Sequence, residues 1–126
     1  MLDGEGRLLL ARRAHEPDKG QWDTLGGFLD EEEHPEDGLR REVREEAGVE
    51  IEVGDFVGAY PDRYGGGDDA PIALNLVYEV TIAGGRLAPA DDVSEVRWFT
   101  PDSLPDEDEL AFGWLARCLA ERSTRP

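Results

Sequence analysis

Two residues mark the ends of a helix that dominates the local structure of this chain. Pro35 suits a first helical position, where its missing N–H has no intrahelical partner to lose, and Gly48 suits the left-handed residue that ends a helix. The interval predicts a helix over Pro35–Ala47. Between its ends, a rotation of about 100° per residue sorts the side chains into three sectors. Leu39, Val43 and Ala47 make an apolar stripe, Arg40, Arg41 and Arg44 a basic one, and Glu42, Glu45 and Glu46 an acidic one. The acidic members stand at the i, i+3, i+4 spacing that brings side chains together.

Most charge-rich helices are solvated faces laced with ion pairs, and part of this one reads that way. Glu36 with Arg40 and Asp37 with Arg41 are favourable i, i+4 pairs, each contributing about 0.2–0.5 kcal/mol. The acidic sector does not. Glu42 and Glu46 are like charges four residues apart, and only Arg41, on the flank of Glu45, offers local compensation. A hard divalent cation that prefers oxygen ligands would offset this repulsion. The adjacent Gly26-Gly27 turn lets the backbone come close to such an ion, where a carbonyl oxygen could serve it; an ordinary tight turn would use the same residues.

A length of 126 residues allows one domain with a real core, and we read residues 1–126 as that single domain. Acidic residues number 30 against 13 basic, a formal charge of −17, which argues against binding to nucleic-acid polymers or anionic membranes. A nucleotide is not excluded, because it needs only a local basic patch and a metal. No apolar run approaches the ~20 residues of a membrane span, and no apolar leader follows the start. Cys118 is the single cysteine, so an internal disulfide is ruled out and a reducing cytoplasm is the expected location.

Around the helix the pattern is largely extended. Arg7 to Arg13 reads as a mostly buried strand and residues 14–26 as a loop. Glu50 to Tyr60 reads as a second extended segment. From Ile72 to Ile82 the alternation predicts Ile72, Leu74, Leu76, Tyr78 and Val80 on one side, and Val93 to Phe99 is a further strand. Leu110 to Arg122 is amphipathic, with Ala111, Leu115, Cys118 and Leu119 toward the core. Strands mixed with two helices point to a layered α/β domain.

The interval Gly27 to Val49, with Glu33 and the run Arg41-Glu42-Val43-Arg44-Glu45-Glu46-Ala47-Gly48-Val49, resembles the Nudix box at every defined position. The likeness continues in Pro17 to Asp23 and Gly26-Gly27-Phe28, in Tyr60 to Tyr64, in Leu74-Asn75-Leu76, in Val96 to Phe99 and in Leu110-Ala111-Phe112. These resemble Nudix hydrolases related to NADH and ADP-ribose pyrophosphatases. The resemblance implies an α/β/α sandwich with a mixed sheet between helices. It also implies cleavage of a nucleoside diphosphate linked to another group, using Mg²⁺ or Mn²⁺. Leu25 stands where many relatives carry proline. The chain begins at the turn that usually follows the first core strand, so that strand is expected to be absent. An uncovered sheet edge invites another chain, which makes a homodimer an expectation.

By the same resemblance Glu42 and Glu46 are metal ligands, together with Gly27. Glu45 is a third ligand or the base that takes a proton from water, and Glu33 is an outer ligand or the partner that orients Arg41. Asp91, Asp92 and Glu95 lie near the last strand, where some relatives place an extra acid. Arg12, Arg13 and Arg63 could meet phosphates, and Trp22, Phe28, Tyr60 and Tyr64 could stack on a base; strand-end arginines and aromatics flanking a turn are as often surface or packing residues. His34, just before Pro35, is a capping neighbour rather than a catalyst. The expected substrate is a small nucleotide such as ADP-ribose or NADH. The alternatives are a nucleoside triphosphate, a diadenosine polyphosphate, or a nucleotide-sensing module without catalysis.

Overall fold

Strand β1 (Leu8–Arg13) is buried on both faces, and the two cores of the protein lie on either side of it. Successive side chains of a strand point to opposite faces. Leu8 and Leu10 therefore enter one core with Trp22, Phe99, Trp114, Leu115 and Cys118, while Leu9 and Ala11 enter the other with Leu25, Val43, Ala47, Val49 and Val80. A strand covered on both sides reads as a continuous apolar run, which explains the sequence Leu-Leu-Leu-Ala. The structure, a computed structural model, describes residues 7–16, 18–63, 69–90, 92–100, 102–111, 114–115 and 117–118.

The other elements are β2 (Trp22–Thr24), α1 (Pro35–Ala47), β3 (Val49–Arg63), β4 (Ile72–Gly85), β5 (Val93–Phe99) and a 3-10 turn at Glu107–Glu109. Strand β1 pairs antiparallel with β2, placing Leu10 opposite Thr24, and with β5, placing Leu8 opposite Phe99. Strands β3 and β4 form a separate antiparallel ribbon that runs from Val49 opposite Gly85 to Arg63 opposite Ile72. Helix α1 covers one face of β1. The helical residues Trp114, Leu115 and Cys118 cover the other, giving the α/β/α layering. The expected mixed sheet takes the form of two antiparallel sheets, and the parallel pairing seen among the described residues is the isolated bridge Trp22 to Leu110.

Helix α1 begins and ends at the predicted residues. His34 is its N-cap, its Nδ1 accepting the Glu36 N–H at 3.2 Å, and Gly48 closes it at φ 72° with its N–H donating to the Arg44 carbonyl. A left-handed φ strains any residue with a Cβ, so glycine is the cheap choice there. Arg44 then joins the helix to β3 through a two-pronged pair with Glu50.

On β4 the predicted one-sided row is open at its start, Ile72 being 65% exposed, Leu74 62% and Leu76 38%, while Val80 is buried and Tyr60, opposite Asn75, belongs to the core. Three expectations change. Trp22–Thr24, read as loop, is a strand, because its partner β1 is ten residues away and no local signal announces the pairing. The C-terminal helix does not start at Leu110, which bridges to Trp22 just after the 3-10 turn. The two i, i+4 pairs are replaced as well. Arg40 pairs with Asp37 at 2.9 Å, and Arg41 turns to the preceding loop. Phe112, Leu119 and residues 1–6 lie outside the described residues.

Glu32, in the loop before α1, sits at φ 63°. A left-handed residue with a side chain costs about 1–2 kcal/mol, and glycine loses part of that gain through its freer unfolded chain. Glu32→Gly is expected to stabilise the protein by about 0.5–1 kcal/mol in urea unfolding. A loss of stability would show that the Glu32 side chain makes compensating contacts.

Candidate active site

Helix α1 and the loop Leu25 to His34 meet across one guanidinium. Arg41 Nε donates to Glu33 Oε2 at 2.9 Å and Nη2 to Glu33 Oε1 at 3.0 Å, a planar two-pronged pair. Its Nη1 donates to Glu42 Oε1 at 2.9 Å and reaches Glu45 at 3.4 Å, and its Nη2 also meets the Phe28 carbonyl at 3.2 Å. Glu33 accepts the Asp30 N–H as well. These bonds, Arg41 first, hold the Glu33 carboxyl down at about 2.

The glycine turn lies directly under the acidic sector. A Cβ on Gly27 would stand 2.7–2.8 Å from the Glu42 carboxylate, so only glycine lets that carboxylate rest against the backbone. Next to it the Gly26 N–H donates to Glu46 Oε1 at 2.9 Å. Glu42 and Glu46 are thus seated on the turn from above, while Glu45 is the more open of the three, its side chain 47% exposed. All the donors are oxygens, the set a hard divalent cation takes. In this arrangement the three carboxylates are held apart by Arg41 and the turn. Among the described residues the carboxylate trio with oxygens within 4.8 Å of one another is Asp106, Asp108 and Glu109, exposed beside the 3-10 turn and lining neither lobe of the cleft described next.

A cleft of two lobes runs beside β1, β2 and the glycine turn, its second lobe reaching the β3–β4 ribbon. The first, ≈ 470 Å³, is lined by Glu42, Glu46, Arg12, Arg13, His15, Glu16 and Asp92. The second, ≈ 440 Å³, is lined mostly by apolar residues, among them Leu29, Leu39, Leu74, Leu76 and Val77, with Arg63 and Asn75. Arg13, Asp23, Thr24, Gly26, Gly27 and Phe28 line both and form the waist between them.

The structure brings together Gly27, Glu33, Arg41, Glu42, Glu45 and Glu46, of which Glu42 and Glu46 line the first lobe and Gly27 the waist. It places Arg13, Phe28 and Arg63 along the cleft. Phe28 is 63% exposed, whereas Trp22 and Tyr60 are buried core residues, Tyr60 against Trp114. Leu25 is likewise core. Arg12 lies over the Trp22 ring and 3.5 Å from Glu95, which also pairs with Arg97. Tyr64 and Asp91 lie outside the described residues.

The sequence of a NUDIX domain matches residues 1–118 of this chain. The chain belongs to the NUDIX family. It is 36% identical to a MutT-like protein of Streptomyces ambofaciens over 81% of this chain and 60% of that one. It is 32% identical to an ADP-ribose pyrophosphatase of Methanocaldococcus jannaschii over 89% of this chain and 63% of that one. The MutT protein of Methanosarcina mazei superposes with a TM-score of 0.80 at 20% identity, over 99% of this chain and 90% of that one. The chain thus spans about three-fifths of the length of these two sequence relatives. Among the described residues no helix is long and apolar enough to cross a membrane.

One site residue escaped the sequence reading. Asp23, at the waist, is 19% exposed and 3.4 Å from Arg13, and burial raises its carboxyl from 3.8 to about 6. Its only sequence signal is its place between Trp22 and the glycine turn, and among 30 acidic residues that does not stand out. A carboxyl raised on folding favours the folded state while protonated, and that advantage is lost as pH rises from about 4 through about 6. Asp23→Asn is therefore expected to gain stability over the parent across that window, on the order of 1 kcal/mol, and to hold the gain above it. Thermal melts from pH 4 to 8 read this directly, and a constant difference would show that Asp23 is not desolvated.

Proposed function

We propose that this NUDIX protein is a divalent-metal-dependent pyrophosphohydrolase that splits a nucleoside diphosphate linked to a second group. The observation that carries the reading is the seating of Glu42 and Glu46 on the Gly26-Gly27 turn, braced by the Arg41–Glu33 pair. Glu42, Glu46, Glu45 and the Gly27 carbonyl would hold Mg²⁺ or Mn²⁺. Held there, such an ion would supply a coordinated water of lowered pKa and offset charge on the phosphate oxygens. Glu45, the most open of the three acids, would accept a proton from that water. Arg41 keeps Glu33 ionised and limits how far Glu42 can swing.

The rest of the cleft suits the organic part of such a substrate. Arg13 at the waist and Arg63 in the second lobe would meet polar groups of the substrate, and Phe28 would offer a ring face for a base. The substrate class we favour is ADP-ribose, NADH or a similar dinucleotide, handled in the cytoplasm as a small molecule and not as a polymer.

Glu46→Gln keeps the side-chain shape and removes the charge. It is expected to fold normally and to lower turnover by several orders of magnitude, roughly 10³-fold or more. The assay is chromatographic separation of products from ADP-ribose, NADH, diadenosine polyphosphates and triphosphates, with Mg²⁺, Mn²⁺ or EDTA. Metal-dependent AMP from ADP-ribose or NADH supports the substrate class. Triphosphate cleavage alone would keep the chemistry and overturn the substrate, and near-normal turnover by the variant would sink the ligand assignment. Gly27→Ala is the complementary change. Its new Cβ displaces the Glu42 carboxylate, the flexible end of a side chain. Stability should therefore stay near that of the parent while Mn²⁺ affinity falls about 10–100-fold in calorimetric titration.

A further inference from the structure

We infer that Asp23 is a substrate-binding residue whose Oδ2 accepts a hydrogen bond from a ribose hydroxyl at the waist of the cleft. The inference rests on the pyrophosphohydrolase reading of the same cleft. Three observations converge on it. Asp23 lines both lobes, so its carboxylate stands where a ligand must pass from one to the other. Its Oδ1 is taken by the Thr24 N–H at 2.8 Å, while among the described residues Oδ2 meets Arg13 Nη1 alone, at 3.4 Å. That distance is at the far edge of hydrogen bonding. A carboxylate oxygen offers about two acceptor sites, so Oδ2 has capacity left. The side chain is four-fifths covered and lines the cleft.

The order of chemical groups in a nucleotide then selects the partner. Phosphates belong with Glu42, Glu46 and their metal in the first lobe, and a base belongs with Phe28, Leu39 and Leu76 in the second. The sugar that joins them crosses the waist. Ribose brings vicinal hydroxyls, which are donors, and a carboxylate is the strong acceptor for them. Acidic side chains take the same role toward ribose in dinucleotide-binding folds. Arg13, touching Oδ2 from β1, is the positioning residue: it fixes the carboxylate without saturating it.

The test is calorimetric titration, with Mg²⁺ present, of ADP, GDP, UDP and CDP and of their 2′,3′-dideoxy counterparts. The parent protein is expected to bind its preferred nucleotide about tenfold or more tightly when the hydroxyls are present. Asp23→Ala is expected to bind both forms equally, and Asp23→Asn to keep a smaller preference. The ratio compares two ligands on one preparation, so partial unfolding of a variant does not move it. Equal binding of both forms by the parent, or an unchanged ratio in Asp23→Ala, overturns the inference and leaves the hydrolase reading standing. No binding of any nucleotide, together with no metal-dependent hydrolysis, overturns the hydrolase reading and the inference with it.

Discussion

The guanidinium of Arg41 organises this site. It receives Glu33 from the loop and Glu42 and Glu45 from its own helix, and it meets the Phe28 carbonyl beside the glycine turn. Without it, Asp30, Glu33, Glu42 and Glu45 would lose the cation that each of them meets in this structure. Lysine could not substitute, because a point charge on a flexible stem cannot make a planar two-pronged pair while reaching two other carboxylates. The loop's path depends on this contact as well. Glu33 accepts from Asp30 N–H and Arg41 together, so the segment that closes over the helix is held by the same two side chains that order the acids.

Behind that corner, the two-sided burial of β1 sets where the cleft can be. Leu9 and Ala11 hold α1 through Val43 and Ala47, which presents the acidic sector to the turn after β2. Leu8 and Leu10 hold Trp22, whose ring packs edge-on against Phe99 and carries Arg12 on one side. Asp23 follows Trp22 on a strand, so burial of the tryptophan on one face turns the aspartate to the other. The waist residue is therefore placed by core packing. Its position is as rigid as the sheet that carries it.

What could be read from the sequence was what is local. Helix α1 was legible to the residue because Pro35 and Gly48 mark its ends by backbone chemistry alone, and the acidic sector followed from its period. The Nudix spacing carried the grouping of Glu33, Arg41, Glu42 and Glu46. The non-local features did not show. Strand β2 needs β1 to exist, and Arg41 chose Glu33 over Asp37 because the loop folds back across the helix. The apolar side of β4 was visible as a pattern, but its exposure at Ile72 and Leu74 depends on which face of the β3–β4 ribbon the core takes, here the one that buries Tyr60. Asp23 was hidden for a compositional reason: in a chain this acidic, one more carboxylate carries no information until its surroundings are known.

The charge balance of the cleft bears on how an anionic substrate could enter at all. Its first lobe sets Glu42, Glu46, Glu16, Asp23 and Asp92 against Arg12, Arg13 and His15, in a protein of net charge −17. Arg13 is engaged by Asp23, and Arg12 lies near Glu95, so little of that positive charge is left for a diphosphate. The lobe alone would repel the group it is proposed to bind. The divalent cation proposed for the glutamates would reverse the sign where it matters and at close range, since charges a Debye length of about 8 Å away are screened at physiological salt. Such a metal would serve binding as much as chemistry. The acidic surface would then favour small substrates, because a long polyanion would meet it over many contacts, while a single nucleotide would meet only the cleft.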